Sequence, residues 1–410
     1  MVTLIAVALT ATVAACDGPS DDTATGSDVT STEPTVTTTG PLVGSTEMTT
    51  ATTAATTVAV TATTPAHEYD FSGIAPIVQQ FVDDRGLKGA GLVVVERDDG
   101  IVHQQYWGEF GPERVSLVAS ASKMIAAGVL MRLDDQGLLD VDAPLADAVD
   151  WGSGNPTISP AQLVSNSSGL VGLGPNPGYP PYRCQFLPQG RLVDCGERIF
   201  TTTDDDDDVI APDTEFRYGG GQWQVAGAVA EAVSGRSWEQ LLEEIYVEPC
   251  GVDSLGFNNQ WTQFGPIGFT YPAAFDADPS TLAATDNPNI EGGAYVTAPD
   301  YARLLLMHLR DGRCGDVPVL SPEAVARMHD DRIGDVYGGS VGGSGYGMGW
   351  WIDRTTGRLS DPGAYGAYPW LDIDDGHGAY LVVEADTRTG TDLADLLFAP
   401  VAEAVAAGRD

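Results

Sequence analysis

Lysine is almost missing from this 410-residue sequence: only Lys88 and Lys123 are present, and 20 basic residues face 58 acidic ones, for a net charge of −38. That excess of negative charge repels phosphate backbones and excludes nucleic acid as a partner. An Asp-rich, Lys-poor surface stays soluble through self-repulsion and suits a salty environment. No run of 18 or more apolar residues is present, so no transmembrane helix is predicted. Histidine and cysteine are scarce, five of each, and no histidine stands at ligand spacing from a cysteine; neither a metal nor a cofactor is expected. What is there suffices for a large core. Hydrophobic residues make up 43% of the chain against 19% charged, which places most of it in the globular class with length for two or three domains. With lysine so rare, one inside an apolar segment needs a reason.

Residues Leu4 to Ala15 form a short apolar run ending in Val13-Ala14-Ala15-Cys16. Such runs with small residues at their end read as secretory signals. The ending resembles the lipobox of bacterial lipoproteins, in which the cysteine becomes the acylated first residue, although no Lys or Arg precedes the run. Residues 1–15 are thus expected to be a lipoprotein-type signal peptide and Cys16 the lipid attachment. The expected location is the bacterial cell envelope, on its periplasmic or cell-surface side, with the membrane a partner through the anchor. Residues 17–68 hold 22 Ser or Thr, no aromatic residue and no Lys or Arg. A segment of that kind buries too little apolar area to offset its chain entropy, so 16–68 is expected to be a disordered tether and 69–410 the folded domain. An exported chain with four further cysteines permits disulfides. Cys184 and Cys195 flank a short Pro/Gly-containing loop and are the preferred pair, which leaves Cys250 with Cys314.

In the folded part, Ile74, Ile77, Val78 and Phe81 recur at helical spacing and Gly86 ends that helix. Ala90 to Arg97 and Ile101 to Trp107 read as strands joined across Asp98-Asp99-Gly100. Lys123 to Gln136 is apolar on nearly every side, the mark of a buried helix. Helices are predicted near Pro160 to Ser165, Gln222 to Ser234 and Trp238 to Ile245. Strands are predicted over Tyr346 to Asp353, Ala364 to Leu371 and Ala379 to Ala385. Leu393, Leu396, Leu397, Val401 and Val405 give a closing amphipathic helix. Strands at both ends with a helix-rich middle suggest an α+β fold: one antiparallel sheet from both chain ends, flanked by helices, with an α-rich insert over about 125–300.

The candidate nucleophile is Ser120, in Ser120-Ala121-Ser122-Lys123, which opens the buried helix. Three residues is nearly one helical turn, so Ser120 and Lys123 share a face. A serine at a helix N-terminus meets free N–H groups and a positive dipole end, which favour a developing oxyanion. A lysine forced into an apolar helix loses hydration, and its neutral form becomes able to take the serine proton.

The surroundings carry a resemblance. Ser120 to Leu145, SASKMIAAGVLMRLDDQGLLDVDAPL, is similar to the start of the serine β-lactamase, penicillin-binding protein and esterase superfamily, nearest its class C-like branch. The similarity continues through Ile158 to Leu170 (ISPAQLVSNSSGL), Phe216 to Gly251, Gly292-Gly293 to Arg303 and Tyr346 to Trp351, colinearly over nearly all of 69–400. The resemblance implies a β-lactamase-like fold, a sheet domain with an all-α insert. It implies Ser120 as the acylated nucleophile, Lys123 as its activating partner and Tyr218 as the tyrosine of the family's Y-x-N motif, a proton shuttle to the leaving group. The third position of that motif is Gly220 rather than Asn, and Gln222 is a candidate substitute amide. The family's third motif, K-T-G or H-x-G, matches Asp361-Pro362-Gly363, with the Ala364 N–H completing the oxyanion hole beside that of Ser120. Asp361 in place of Lys or His argues against carboxylate-bearing β-lactam or D-Ala peptide substrates. His377, in Asp375-Gly376-His377-Gly378, is a rival for that motif.

Other signals carry less. Gly338-Gly339-Ser340-Val341-Gly342 matches G-x-S-x-G but lacks the strand before and helix after that a nucleophile elbow needs. Asp204 to Asp208 reads as a solvated acidic loop, and Trp350, Trp351, Tyr365, Tyr368 and Trp370 as core aromatics. The expectation is an exported, lipid-anchored, monomeric serine hydrolase acting through an acyl-enzyme on a small-molecule or peptide ester or amide. Its rivals are a non-catalytic binding or sensor protein on the same fold and a penicillin-recognising protein that deacylates slowly.

Overall fold

A computed structural model describes residues 67–173, 178–265, 267–275, 277–334 and 343–409. The expected signal peptide, Cys16, nearly all of the tether and Gly338 to Gly342 lie outside the described residues. Helix α1 (Ile74–Arg85) buries Ile74, Val78, Phe81 and Val82 at helical spacing. Strands β1 (Gly89–Glu96) and β2 (Gly100–Gly108) then pair antiparallel. After β3 (Val115–Leu117), one 3₁₀ turn over Ala119–Ser122 runs into α2 (Lys123–Asp135). Helices α3 (Pro160–Val164), α4 (Leu192–Thr201), α5 (Gly220–Ser234), α6 (Trp238–Leu242) and α7 (Glu248–Cys250) follow. Next come β4 (Gly256–Phe257), β5 (Ala294–Thr297), α8 (Ala298–Leu309), β6 (Arg313–Cys314), β7 (Val317–Pro318) and α9 (Pro322–His329). The chain closes with β8 (Ser344–Tyr346), β9 (Trp351–Asp353), β10 (Leu359–Ser360), β11 (Ala367–Asp372), β12 (His377–Val382) and α10 (Thr387–Arg409).

The main sheet has seven antiparallel strands in the order β2-β1-β12-β11-β10-β9-β8, so its centre joins the first strands to the last, with Leu92 opposite Leu381. This is the expected antiparallel sheet built from both chain ends. Strand β1 is buried on both faces, and its alternation divides the core. Ala90, Leu92 and Val94 pack with α1 and α10, whereas Val93 and Val95 face α2 and α8. Between α2 and α8 the chain is mainly helical, with β4 and β5 joining β3 in a small sheet ordered β3-β5-β4. Disulfides join Cys184 to Cys195 in α4, and Cys250 at the end of α7 to Cys314 in β6.

The edges differ from the sequence expectation. Instead of one strand over Tyr346 to Asp353 there are two, β8 and β9, because the chain turns between them at Gly347 to Trp350, with Gly349 at φ 80°. The strand predicted from Ala364 begins at Ala367, since Ala364-Tyr365-Gly366 form the turn into it, with Gly366 at φ 84°.

Candidate active site

Pairing of β3 with β5 places two distant parts of the chain side by side. Leu117 lies opposite Tyr295, and the Val118 N–H donates to the Ala294 carbonyl at 3.0 Å. The turn after β3 carries Ser120, and the loop before β5 carries Glu291. Ser122, the second serine of the motif, is structural: its hydroxyl donates to the Ala119 carbonyl at 2.6 Å and accepts from the Ala294 N–H at 2.9 Å. Ala119, completely buried, is held at φ 49°, a conformation that costs an L-residue about 1 kcal/mol and here aims the following serine.

Lys123 has no exposed surface, and its Nζ donates to Ser120 Oγ at 3.2 Å and to the Glu291 carbonyl at 2.9 Å. Glu291 Oε2 stands 3.6 Å from the same nitrogen. Nζ also lies 4.6 Å from the centre of the Tyr218 ring and 5.7 Å from that of Trp223. The structure thus brings Ser120, Lys123 and Tyr218 together.

The protonation logic differs from the sequence expectation. Burial by itself lowers the Lys123 pKa, but the acidic groups that face it, Glu291 and Asp361 among them, hold the ammonium above its ordinary value. Burial raises the Tyr218 phenol against the pull of Lys123, so Tyr218 is a neutral proton donor. The resting site therefore contains a lysinium and a phenol, and Lys123 must lose its proton before it can accept one from Ser120.

The expected oxyanion segment lies against the nucleophile turn. A Cβ on Gly363 would fall 2.0 Å from the Val118 carbonyl oxygen, so only glycine permits this approach. Ala364 is partly exposed, and among the described residues no backbone carbonyl accepts its N–H.

Three residues expected to line the substrate pocket do not. Asp361 has no exposed surface; its Oδ2 accepts the Met124 N–H at 3.2 Å, so it caps the first turn of α2. Gln222 is 1% exposed with its amide fully engaged: Oε1 accepts from Ser168, and Nε2 donates to Asn166 Oδ1 and the Arg217 carbonyl. Gly220 is buried, and its missing side chain leaves no opening, because a Cβ there would meet Glu291 Oε1 at 2.0 Å and Gln185 Oε1 at 2.1 Å. The rival His377 pairs with Asp372 at the end of β12 opposite to Val382, about 16 Å along the strand from the end that meets Ala367. It is not a site residue.

The aromatic expectation divides. Trp350, Tyr365, Tyr368 and Trp370 are buried as core, but Trp351 stacks on Tyr218 with centroids 5.7 Å apart, and Phe216 joins both. Glu291 was not singled out in the sequence. The available signal was an acid in the otherwise uncharged loop Asn287-Pro288-Asn289-Ile290-Glu291-Gly292-Gly293.

Comparison with known proteins agrees with this arrangement. Penicillin-binding protein 4 of Amycolatopsis lactamdurans is 26% identical over 320 residues, 71% of this chain and 79% of the relative. A beta-lactamase-like protein of Bacteroides dorei superposes with a TM-score of 0.63 at 26% identity, covering 82% of this chain and 99% of that one. EstCE1, a hydrolase with promiscuous acyltransferase activity, superposes with a TM-score of 0.66 at 20% identity, covering 82% and 98%. The Beta-lactamase family model matches residues 74–402. The chain belongs to the Beta-lactamase family, and its chemistry is of the serine-hydrolase type.

Proposed function

We propose that this protein is an exported, lipid-anchored hydrolase that opens an ester or amide through an acyl-enzyme on Ser120. The observation that carries the reading is the contact of 3.2 Å between the buried Lys123 Nζ and Ser120 Oγ, with the Tyr218 ring centre 4.6 Å from the same nitrogen. Once Nζ is neutral, it takes the Ser120 proton as Oγ attacks the substrate carbonyl. The negative charge that forms on the carbonyl oxygen meets the Ser120 and Ala364 N–H groups. Tyr218 protonates the leaving group, and water then releases the acyl group with the proton flow reversed. Because the resting lysine is charged, acylation accelerates as pH rises above neutrality.

The aromatic cluster of Phe216, Tyr218 and Trp351 supports an apolar substrate group beside the serine. Asp361, buried under α2, neither attracts nor repels a substrate directly, so the argument against carboxylate-bearing substrates loses its basis. The relatives include both a penicillin-binding protein and a hydrolase with acyltransferase activity. The apolar run, Cys16 and the Ser/Thr-rich tether support export and anchoring.

The test treats purified full-length protein with a fluorophosphonate probe and a fluorescent penicillin, with Ser120→Ala as control and mass spectrometry to locate the adduct. Phosphonate labelling at Ser120, absent in Ser120→Ala and faster at pH 9 than at pH 7, is expected. Labelling by penicillin as well extends the substrate class to β-lactams. A well-folded protein with no adduct overturns the proposal in favour of a binding protein.

A further inference from the structure

The start of α5 and the loop before β5 occupy each other's space. A Cβ at position 220 would lie 2.0 Å from Glu291 Oε1 and 2.1 Å from Gln185 Oε1, so a side chain enters there only when those two side-chain ends move away. Glu291 itself is 5% exposed and touches Lys123 twice, through its carbonyl at 2.9 Å and its carboxylate at 3.6 Å. Its backbone is pinned on both sides. The Ile290 N–H donates to Gln224 Oε1 at 3.2 Å, the Gly292 carbonyl accepts from Gln260 Nε2 at 2.8 Å, and the Gly293 N–H donates to the Asn289 carbonyl at 2.8 Å. Gln185 is equally fixed, with its own carbonyl accepting from Asn259 and Asn289 at 2.9 Å each. Its buried Oε1 has no donor among the described residues, and a half-turn of the amide presents an N–H to Glu291. A carboxylate buried this deeply is tolerated only beside a charge partner, and that partner is Lys123.

We propose that Glu291 is a positioning residue for Lys123, filling the space left by Gly220 and holding the amine against Ser120 in place of a side chain on α5. The inference rests on the reading of Ser120 as nucleophile. It makes positions 220 and 291 a coupled pair, in which a side chain enters one only when it leaves the other. It also makes the carboxylate, rather than a neutral amide, the group that fixes the charge of the amine, so the pH response of the serine carries the imprint of Glu291.

The experiment uses the full chain with Glu291→Ala, Glu291→Gln, Gly220→Asn and the double variant Gly220→Asn/Glu291→Ala. It reads thermal unfolding and the second-order rate of Ser120 labelling by a fluorophosphonate across pH. Glu291→Ala is expected to slow labelling about 10–100-fold, because Nζ loses its anchor. Gly220→Asn is expected to slow it about 100-fold or more and to lower the melting temperature, because the new side chain collides with the carboxylate. The double variant is expected to regain most of both losses, its Asn carbonyl accepting from Nζ in the vacated space. Glu291→Gln keeps an acceptor for Nζ but removes the charge, so the pH of half-maximal labelling falls by about one unit, a tenfold change in the neutral amine at fixed pH. A double variant no better than its worse parent in melting temperature and rate overturns the proposal, as does an unmoved pH midpoint in Glu291→Gln. If the unaltered protein is not labelled, the hydrolase reading fails, and the melting-temperature cycle alone decides the coupling of 220 with 291.

Discussion

At position 361 a carboxylate lies wholly under the first turn of α2, with Oδ2 on the Met124 N–H and no donor on Oδ1 among the described residues. Burial pushes its pKa well above the usual carboxylate range, against the pull of Lys123 and of the backbone N–H groups it accepts. Its Oδ2 is the cap of that turn. Asp361→Asn retains an acceptor oxygen and is expected to keep stability within about 1 kcal/mol, whereas Asp361→Ala is expected to cost about 1–2 kcal/mol through the lost cap. Thermal unfolding distinguishes them, and an equal loss in both variants contradicts the capping role. Asp361→His is expected to give no gain on carboxylate-bearing substrates, and a gain in labelling by penicillin would return residue 361 to the pocket. At this scale Ser120 and Lys123 were legible because three residues of helix fix their geometry locally. Tyr218 was legible only through family resemblance. Glu291 was not, since β-pairing across 168 residues of sequence brings it to Lys123 and no local pattern announces that contact. The direction of Asp361 was also beyond reach, because a sequence places a residue in a loop without saying which neighbour its side chain meets.

Long segments such as α1, β1 and α2 were read from the sequence nearly to their ends, α1 from its periodic apolar face and β1 and α2 from unbroken apolar runs bounded by turn residues. Strands of two or three residues such as β8, β9 and β10 show no period and emerge only from sheet pairing. Helix α8 carries a start signal that periodicity passes over: Thr297 caps it, accepting from the Asp300 N–H, and Pro299 lies in its first turn. Helices α8 and α9 also bring two buried histidines together. His308 Nδ1 and His329 Nε2 meet at 3.1 Å beside Trp350. Burial and the neighbouring ring hold His308 well below its ordinary pKa, and burial lowers His329 to about 4. The unfolded chain then binds more protons than the folded one between the ordinary imidazole value of about 6.5 and pH 4, so stability falls as pH drops through that window. The loss from His329 is expected to be at most about 3 kcal/mol. Denaturant unfolding at pH 7 and pH 4.5 measures it, and His329→Gln is expected to flatten the profile. An unchanged profile in that variant would assign acid sensitivity to other groups.

For the whole molecule, the charge and the amino-terminal segment make opposite demands. A net charge of −38 gives the protein no affinity for an anionic bilayer surface, which repels acidic surfaces and attracts only clusters of Lys and Arg. Among the described residues no helix is long and apolar enough to cross a membrane. If the protein works at a membrane, as proposed, the acyl chains on Cys16 must supply the attachment alone, each buried methylene contributing about 0.8 kcal/mol. This gives an all-or-none expectation. In a bacterial host the unaltered protein partitions into the detergent phase on Triton X-114 extraction, and Cys16→Ser moves it wholly into the aqueous phase at any salt concentration. Low salt strengthens the repulsion of the acidic domain from the bilayer, so it cannot restore binding to the variant. Retention of Cys16→Ser in the membrane fraction would show a second attachment and refute lipid anchoring as the sole tie. Full recovery of both forms in the aqueous phase would show that Cys16 is not acylated.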